Sequence, residues 1–185
     1  LKDGEIFLDE EKMISFVNVF LKYGFIYFES PHLLGRGKND DWGNPELITK
    51  LRNVGYYTDE GKNEIEIITK KIKKFTEKYN LTKQWLQHIA DEPTSVNAKC
   101  YSDVSMQIKT IYPEIKIMEA TNTRESLSNA IDIWCPIIND FQENEDFFRS
   151  REKLGEKVLV YTCLVPGGKW LNRTLDMEKI RQVYF

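Results

Sequence analysis

The sequence predicts an α/β fold of the (β/α)8 TIM-barrel type, to which this chain contributes about five βα units. Three observations carry that expectation. Short apolar runs alternate with stretches of helical periodicity, the pattern of parallel strands joined by helical crossovers. The runs are continuous rather than alternating, as in strands covered on both faces. Polar or aromatic residues stand at the C-terminal tip of nearly every run: Glu29, Ser30 and His32; Asp91 and Glu92; Glu119; Asp132 and Trp134; Tyr161 and Thr162. Barrel enzymes assemble their sites at such tips. A doubly wound open sheet fits the same alternation, but no GxGxxG or GxxxxGK motif follows any run, so nucleotide binding has no support.

The elements follow in order. Residues 9–23, "DEEKMISFVNVFLKY", carry a helical apolar stripe with acids at the start, where the helix dipole favours them, and Gly24 stops it. "FIYFES" at 25–30 is the first buried strand. Residues 31–58 are rich in Gly, Asn and Asp, with a short helix expected at 45–54; a loop this long in a compact domain is usually functional. A long amphipathic helix covers 59–81 and "WLQHIAD" forms the next strand. A helix over 95–112 ends at Pro113, and strands follow at 115–120 and 130–136. A helix over 140–155 stops at Gly155, a strand spans 157–164, and a last helix begins at 175.

Composition narrows the function. Twenty-six basic residues face 29 acidic ones, and the basic residues are spread along helical stretches, which argues against a nucleic-acid partner. The lysine run at 70–78 reads as a solvated helix face. No apolar run approaches the ~18 residues of a membrane span. Cys100, Cys135 and Cys163 lack metal-ligand spacing and read as free thiols. Cys and His do not cluster along the chain, so neither a metal nor another cofactor is expected. Leu1 is no initiator and the last helix lacks a cap, as expected of a piece of a longer chain. Location stays open between cytoplasmic and secreted. A partial barrel has exposed sheet edges, which leave self-association open.

The feature richest in chemistry is "HIADEP" at 88–93. Asp91 and Glu92 are adjacent like charges at the end of an apolar strand. Two carboxyls sharing a pocket split their roles, one held protonated as a general acid and one kept anionic. Glycoside hydrolysis requires that division. The plainer reading makes Asp91 the cap of the next helix and Glu92 part of its first turn. A scheme with two glutamates on separate strands is disfavoured: the 157–164 strand ends in Tyr161, Thr162 and Cys163, and Glu119 is the only other strong carboxylate candidate.

Four stretches, in order and at fitting spacing, carry a family resemblance: "FVNVFLKYGFIYFESPHLLGR" (16–36), "HIADEP" (88–93), "DIWCP" (132–136) and "VYTCLVPGGKWLNRTLD" (160–176). Together they resemble the catalytic domain of glycoside hydrolase family 123 and its relatives in domain of unknown function 4091. The resemblance implies a barrel hydrolase acting on β-linked N-acetylgalactosamine or a related 2-acetamido sugar. It also implies an N-terminal β-sandwich domain and last barrel strands that this chain lacks. The implied mechanism is substrate-assisted and retaining. Asp91 orients and stabilises the acetamido group that attacks the anomeric carbon. Glu92 protonates the leaving oxygen and then activates water.

Supporting residues have weaker signals. Trp134 is either a sugar-stacking platform or a core residue, and Tyr161 either bonds the acetamido group or packs. His88 shares strand parity with Glu92, yet a lone strand histidine is more often a hydrogen-bonded core residue. His32 at a strand tip, and Asn172 and Arg173 in the loop after the last strand, are candidates for sugar hydroxyls; Asp176 reads better as a helix cap. Two alternatives to the glycosidase stand: a carbohydrate-binding barrel without turnover, and a structural barrel in which Asp91 and Glu92 only cap a helix.

Overall fold

The computed structural model of the chain describes residues 1, 4–37 and 39–162. Its centre is a five-stranded parallel sheet: β1 (Phe28–Glu29), β4 (Trp85–Gln87), β5 (Lys116–Glu119), β6 (Ile133–Trp134) and β7 (Lys157–Val158). The sheet order is β1-β4-β5-β6-β7, so the strands follow chain order. A doubly wound sheet would reverse direction at a switch point, and no reversal occurs among the described strands. Helices α1 (Glu10–Lys22), α2 (Asp59–Lys78), α3 (Ala98–Ile111), α4 (Ile138–Glu143) and α5 (Glu145–Lys153) complete the α/β layout. None is long and apolar enough to cross a membrane.

Helix ends follow their local chemistry. Asp9 caps α1 by accepting from the Lys12 amide, and Thr58 caps α2 by accepting from the Gly61 amide. Gly61 has no room for a side chain, since a Cβ there would meet the Gly55 carbonyl oxygen. The expected helix over 140–155 is two helices. Asn144 breaks them with φ −127° and ψ 31°, and its side-chain amide donates to the Asp140 carbonyl. Asparagine competes in this way with helical backbone bonds.

The short helix expected at 45–54 is replaced by a β-hairpin. β2 (Leu34–Gly35) pairs antiparallel with β3 (Ile48–Thr49). β-branched Ile48 and Thr49 favour the extended form. Asn53, at φ 58°, closes a tight turn in which the Val54 amide donates to Thr49 Oγ1.

The sheet is apolar on both faces, which explains the continuous runs. Trp85, Ile117 and Trp134 face the helices and join Phe75, Tyr101, Tyr112 and Phe148 in the main core. Leu86, Met118 and Ile133 form a second cluster with Cys135. Each fully buried large side chain contributes about 1.5–3 kcal/mol. Cys100 and Cys135 are free thiols, as expected, and Cys163 lies outside the described residues.

Candidate active site at the β4 tip

The site is built where the chains leaving β1 and β4 run on side by side. Beyond β1, the Leu33 and Leu34 amides both donate to the Ile89 carbonyl at 3.0 and 2.9 Å, and Leu34 bridges Ala90. The His88 amide donates to Ser30 Oγ at 2.9 Å. These bonds zip the 30–34 segment onto the β4 exit and bring His32 against His88, ring centroids 4.9 Å apart.

Glu119, at the end of β5, lies beneath both histidines and is almost fully buried. Its Oε1 is 3.0 Å from His88 Nδ1 and 3.6 Å from His32 Nε2. Its Oε2 accepts from the Tyr101 hydroxyl at 3.1 Å and from the Ile89 and Ala90 amides at 3.3 and 3.4 Å. His88 Nε2 lies 3.4 Å from the exposed carboxylate of Glu29, and His32 Nε2 lies 3.8 Å from Asp91 Oδ1.

Burial works against charge on both members of the His88, Glu119 pair, and their mutual attraction wins. Desolvation alone would lower the His88 pKa, but the bond to and charge of Glu119, with Glu29 adding, raise it above the ordinary 6.5. Desolvation alone would raise that of Glu119, but the two imidazoles hold it below the ordinary 4.5. Burial pushes the neighbouring Cys135 thiol up to about 11, helped by Glu29 and Glu119. The groups facing His88 are therefore Glu29 from β1, His32 after it and Glu119 from β5.

Linkage gives the sign of the pH dependence. The His88 contribution is fully present below 6.5 and is lost as pH rises through its raised folded value. The Glu119 contribution is present above 4.5 and is lost as pH falls through its lowered folded value. The melting-temperature gap between wild type and His88→Gln is therefore expected to be widest between pH 4.5 and 6.5 and to shrink on both sides. A gap that widens as pH rises above neutrality would refute the charged pair.

Asp91 and Glu92 stand at the surface above this cluster. Arg36, buried after β2, donates from Nη1 to the Asp91 carbonyl at 2.6 Å. Its Nε donates to Asp40 at 2.9 Å, and its guanidinium stacks on Trp42 with 3.5 Å to the ring centroid. A cavity of about 240 Å³ opens between Asp91, Arg36, Asp40 and Lys50. The strand alternation relaxes at the tip, where Glu92 takes φ 42°, a left-handed conformation unusual for a side-chain-bearing residue.

The helix-cap reading of the pair does not hold. α3 begins at Ala98 with Asn97 in the N-cap position, and Asn97 Oδ1 accepts from Thr94 N at 2.9 Å. Asp91 and Glu92 precede that turn and lie outside the helix.

Other sequence candidates fall in different places. His32 and His88 join the cluster. Trp134 is fully buried, its indole N–H donating to Glu156 at 2.5 Å and its ring edge-on to Phe147. The structure thus places it in the core instead of in a sugar pocket. Tyr161 pairs through its backbone with Ile137, beyond β7. Asp132 precedes β6 and accepts from the Ile117 amide, so it marks the opposite end of the strand from the site. Asn172, Arg173 and Asp176 lie outside the described residues.

Sequence reasoning missed Arg36 and Tyr101 and left Glu119 without a partner. The available signal for Arg36 was its place, flanked by Gly35 and Gly37, in the long loop flagged as functional. Nor did spacing along the chain reveal that the fold gathers both histidines. His32, His88 and Glu119 offer ligand atoms that all lie within 4.8 Å of one another, the spacing a metal would need. In this arrangement those atoms hydrogen-bond or ion-pair with one another and with Glu29 and Asp91.

The comparisons with known proteins agree with the sequence resemblance. The family description "Glycoside hydrolase 123, catalytic domain" matches residues 7–184. No curated protein matches the chain. Among solved structures, the chain is similar to a family 123 glycoside hydrolase from Clostridium perfringens, described in terms of glycolipid glycan hydrolysis. Identity is 13% and the TM-score 0.64, over 90% of this chain and 32% of that one. It is also similar to a beta-D-glucuronidase from Dictyoglomus thermophilum, at 12% identity and TM-score 0.48, over 95% of this chain and 38% of that one. The chain thus spans roughly a third of the length of these solved structures. With the family description covering nearly every residue, the chain belongs to the glycoside hydrolase 123 catalytic-domain family.

Proposed function

We propose that this chain is part of a (β/α)8 barrel glycosidase that cleaves β-linked N-acetylgalactosamine, or a related N-acetylhexosamine, with retention and with help from the substrate's own acetamido group. Strands ordered as in the chain, all parallel, with the acids at a C-terminal tip, support the barrel. The family membership supports the glycosidase. This domain is read as one part of a larger protein with further strands and a β-sandwich.

One observation carries the mechanism. A retaining enzyme with its own nucleophile needs a second free carboxylate about 5 Å from the acid. Glu119, the strongest such candidate in the sequence, is buried and fully occupied by His88, Tyr101 and two backbone amides. Glu29 remains as an exposed carboxylate at a neighbouring tip, and in the mechanism the family resemblance implies the nucleophile is the substrate's acetamido oxygen. It attacks the anomeric carbon as the glycosidic C–O bond breaks, and Glu92 gives its proton to the leaving oxygen. Asp91, anionic, accepts from the acetamido N–H and stabilises the positive charge of the oxazolinium ring. Glu92 then takes a proton from water, which attacks the anomeric carbon and reopens the ring. Substrate is held by contacts near His32 and the Arg36, Lys50 cavity, with Tyr161, Asn172 and Arg173 as further candidates.

The test compares an aryl β-N-acetylgalactosaminide with the matching 2-hydroxy galactoside. Only the first is expected to turn over, and the corresponding thiazoline is expected to inhibit competitively. Equal turnover of both would place the nucleophile on the protein, with Glu29 as the exposed carboxylate at a neighbouring strand tip. Sugar binding without turnover of either would instead indicate a non-catalytic carbohydrate-binding domain.

A further inference from the structure

We infer that Glu119 is the positioning residue of the Asp91, Glu92 pair, acting through the backbone of residues 89–90 and through His32. The inference rests on the reading that these two acids perform the chemistry. It assigns Glu119 neither the nucleophile's role nor contact with sugar.

The geometry supports two routes from Glu119 to the acids. The first is the backbone. Oε2 accepts from the amides of Ile89 and Ala90, the two residues that lead directly into Asp91. Those amides lie past β4, where the pairing of Leu33 and Leu34 engages the Ile89 carbonyl and leaves these two N–H groups to the carboxylate. Unpaired buried amides are costly, so the carboxylate fixes the path of the chain into the tip. Arg36 holds the same tip from the other side, at the Asp91 carbonyl.

The second route is His32. Its Nε2 stands between two carboxylates, 3.6 Å from Glu119 Oε1 and 3.8 Å from Asp91 Oδ1. An imidazole within ion-pair reach of both a buried and an exposed acid limits the positions the Asp91 carboxyl takes. His88 and Tyr101 fill the remaining acceptor sites of Glu119, which keeps it a fully paired anion. Three of its contacts, to His88, Ile89 and Ala90, fall on the three residues that lead into the acids.

The experiment uses the enzyme with Glu119→Gln, Tyr101→Phe and His32→Gln, beside Asp91→Asn and Glu92→Gln. Glu119→Gln is expected to lower kcat about a hundredfold, the scale of a misplaced reacting group. KM should stay within a few-fold, and the pH profile of kcat/KM should shift. Tyr101→Phe, which spares the carboxylate, should cost less than tenfold in kcat. His32→Gln removes a partly exposed ring and should cost about tenfold. It judges the inference if Glu119→Gln does not fold: a lower kcat with KM unchanged and a moved Asp91 carboxyl resonance support it, and an unchanged kcat or an unmoved resonance overturns it. The 13C carboxyl resonance of Asp91 should also move in Glu119→Gln.

Glu119→Gln with wild-type kcat, while Asp91→Asn is inactive, overturns the inference and leaves the functional reading intact. If Asp91→Asn and Glu92→Gln both keep full turnover, the functional reading fails. The inference is then judged on the Asp91 resonance, and an unmoved signal in Glu119→Gln overturns it. Activity lost to a chelator and restored by zinc would overturn it in favour of a metal centre at the same three side chains.

Discussion

Glu92→Gln and Asp91→Asn are each expected to lower kcat on an N-acetylgalactosaminide by about 10²–10⁴-fold. The two losses should differ in kind. Glutamine at 92 keeps the shape and removes the proton. Its defect should therefore grow with the basicity of the leaving group and be mildest for a nitrophenyl substrate. On the proposed mechanism, Asp91→Asn removes the negative charge that would face the acetamido group. Its defect should be independent of the leaving group and should come with weaker thiazoline binding. Turnover within tenfold of wild type for both variants would sink the assignment. The backbone at Glu92 adds a second, separable readout. At φ 42° a side chain is strained by about 1 kcal/mol or more. Both Glu92→Gly and Glu92→Ala lose the carboxyl, but the glycine variant should be the more stable by about that amount. Equal melting temperatures would show that the tip relaxes freely and that its conformation is not imposed by Arg36 and Glu119.

The sequence was most informative where a physical signal is local. Apolar runs bounded by Gly, Pro and charge placed all five sheet strands in order. The acid pair was legible because two adjacent charges after "HIA" need a reason. The β2, β3 hairpin was not legible, since its two-residue strands are too short for any periodicity. Trp134 stayed open between platform and core because parity in a run buried on both faces cannot be read from hydrophobicity. Only its indole bond to Glu156 and its contact with Phe147 settle the face. The partners of Glu119 and Arg36 lie far away in sequence, 31 and 55 positions for His88 and Asp91 respectively. Such pairings follow from the sheet order and leave no trace in local composition.

The second large effect is expected far from the acids, at Glu64. This residue on α2 is fully buried, and its two oxygens accept from the Leu51 and Arg52 amides at 3.1 and 3.0 Å. Those amides leave β3 just before the turn at Asn53 and have no ladder partner of their own. The neighbouring Lys50 amide donates to the Leu33 carbonyl, and the Leu33 amide donates to Ile89 at the site. Glu64 thus holds one end of a chain of backbone bonds whose other end carries His32 and the tip of β4. Glu64→Ala removes two charge-assisted hydrogen bonds and strands two donors, a cost of about 3 kcal/mol. Glu64→Gln should cost roughly half as much, because its amide oxygen still takes one N–H while its NH2 group faces the other. Urea unfolding should show the midpoint falling in the order wild type, Gln, Ala with an unchanged slope. A loss below about 1 kcal/mol for Glu64→Ala would mean that water replaces the carboxylate without penalty. The long loop would then be held to the site by its hairpin alone, and His32 would owe its position to the Leu33 and Leu34 bonds without help from α2.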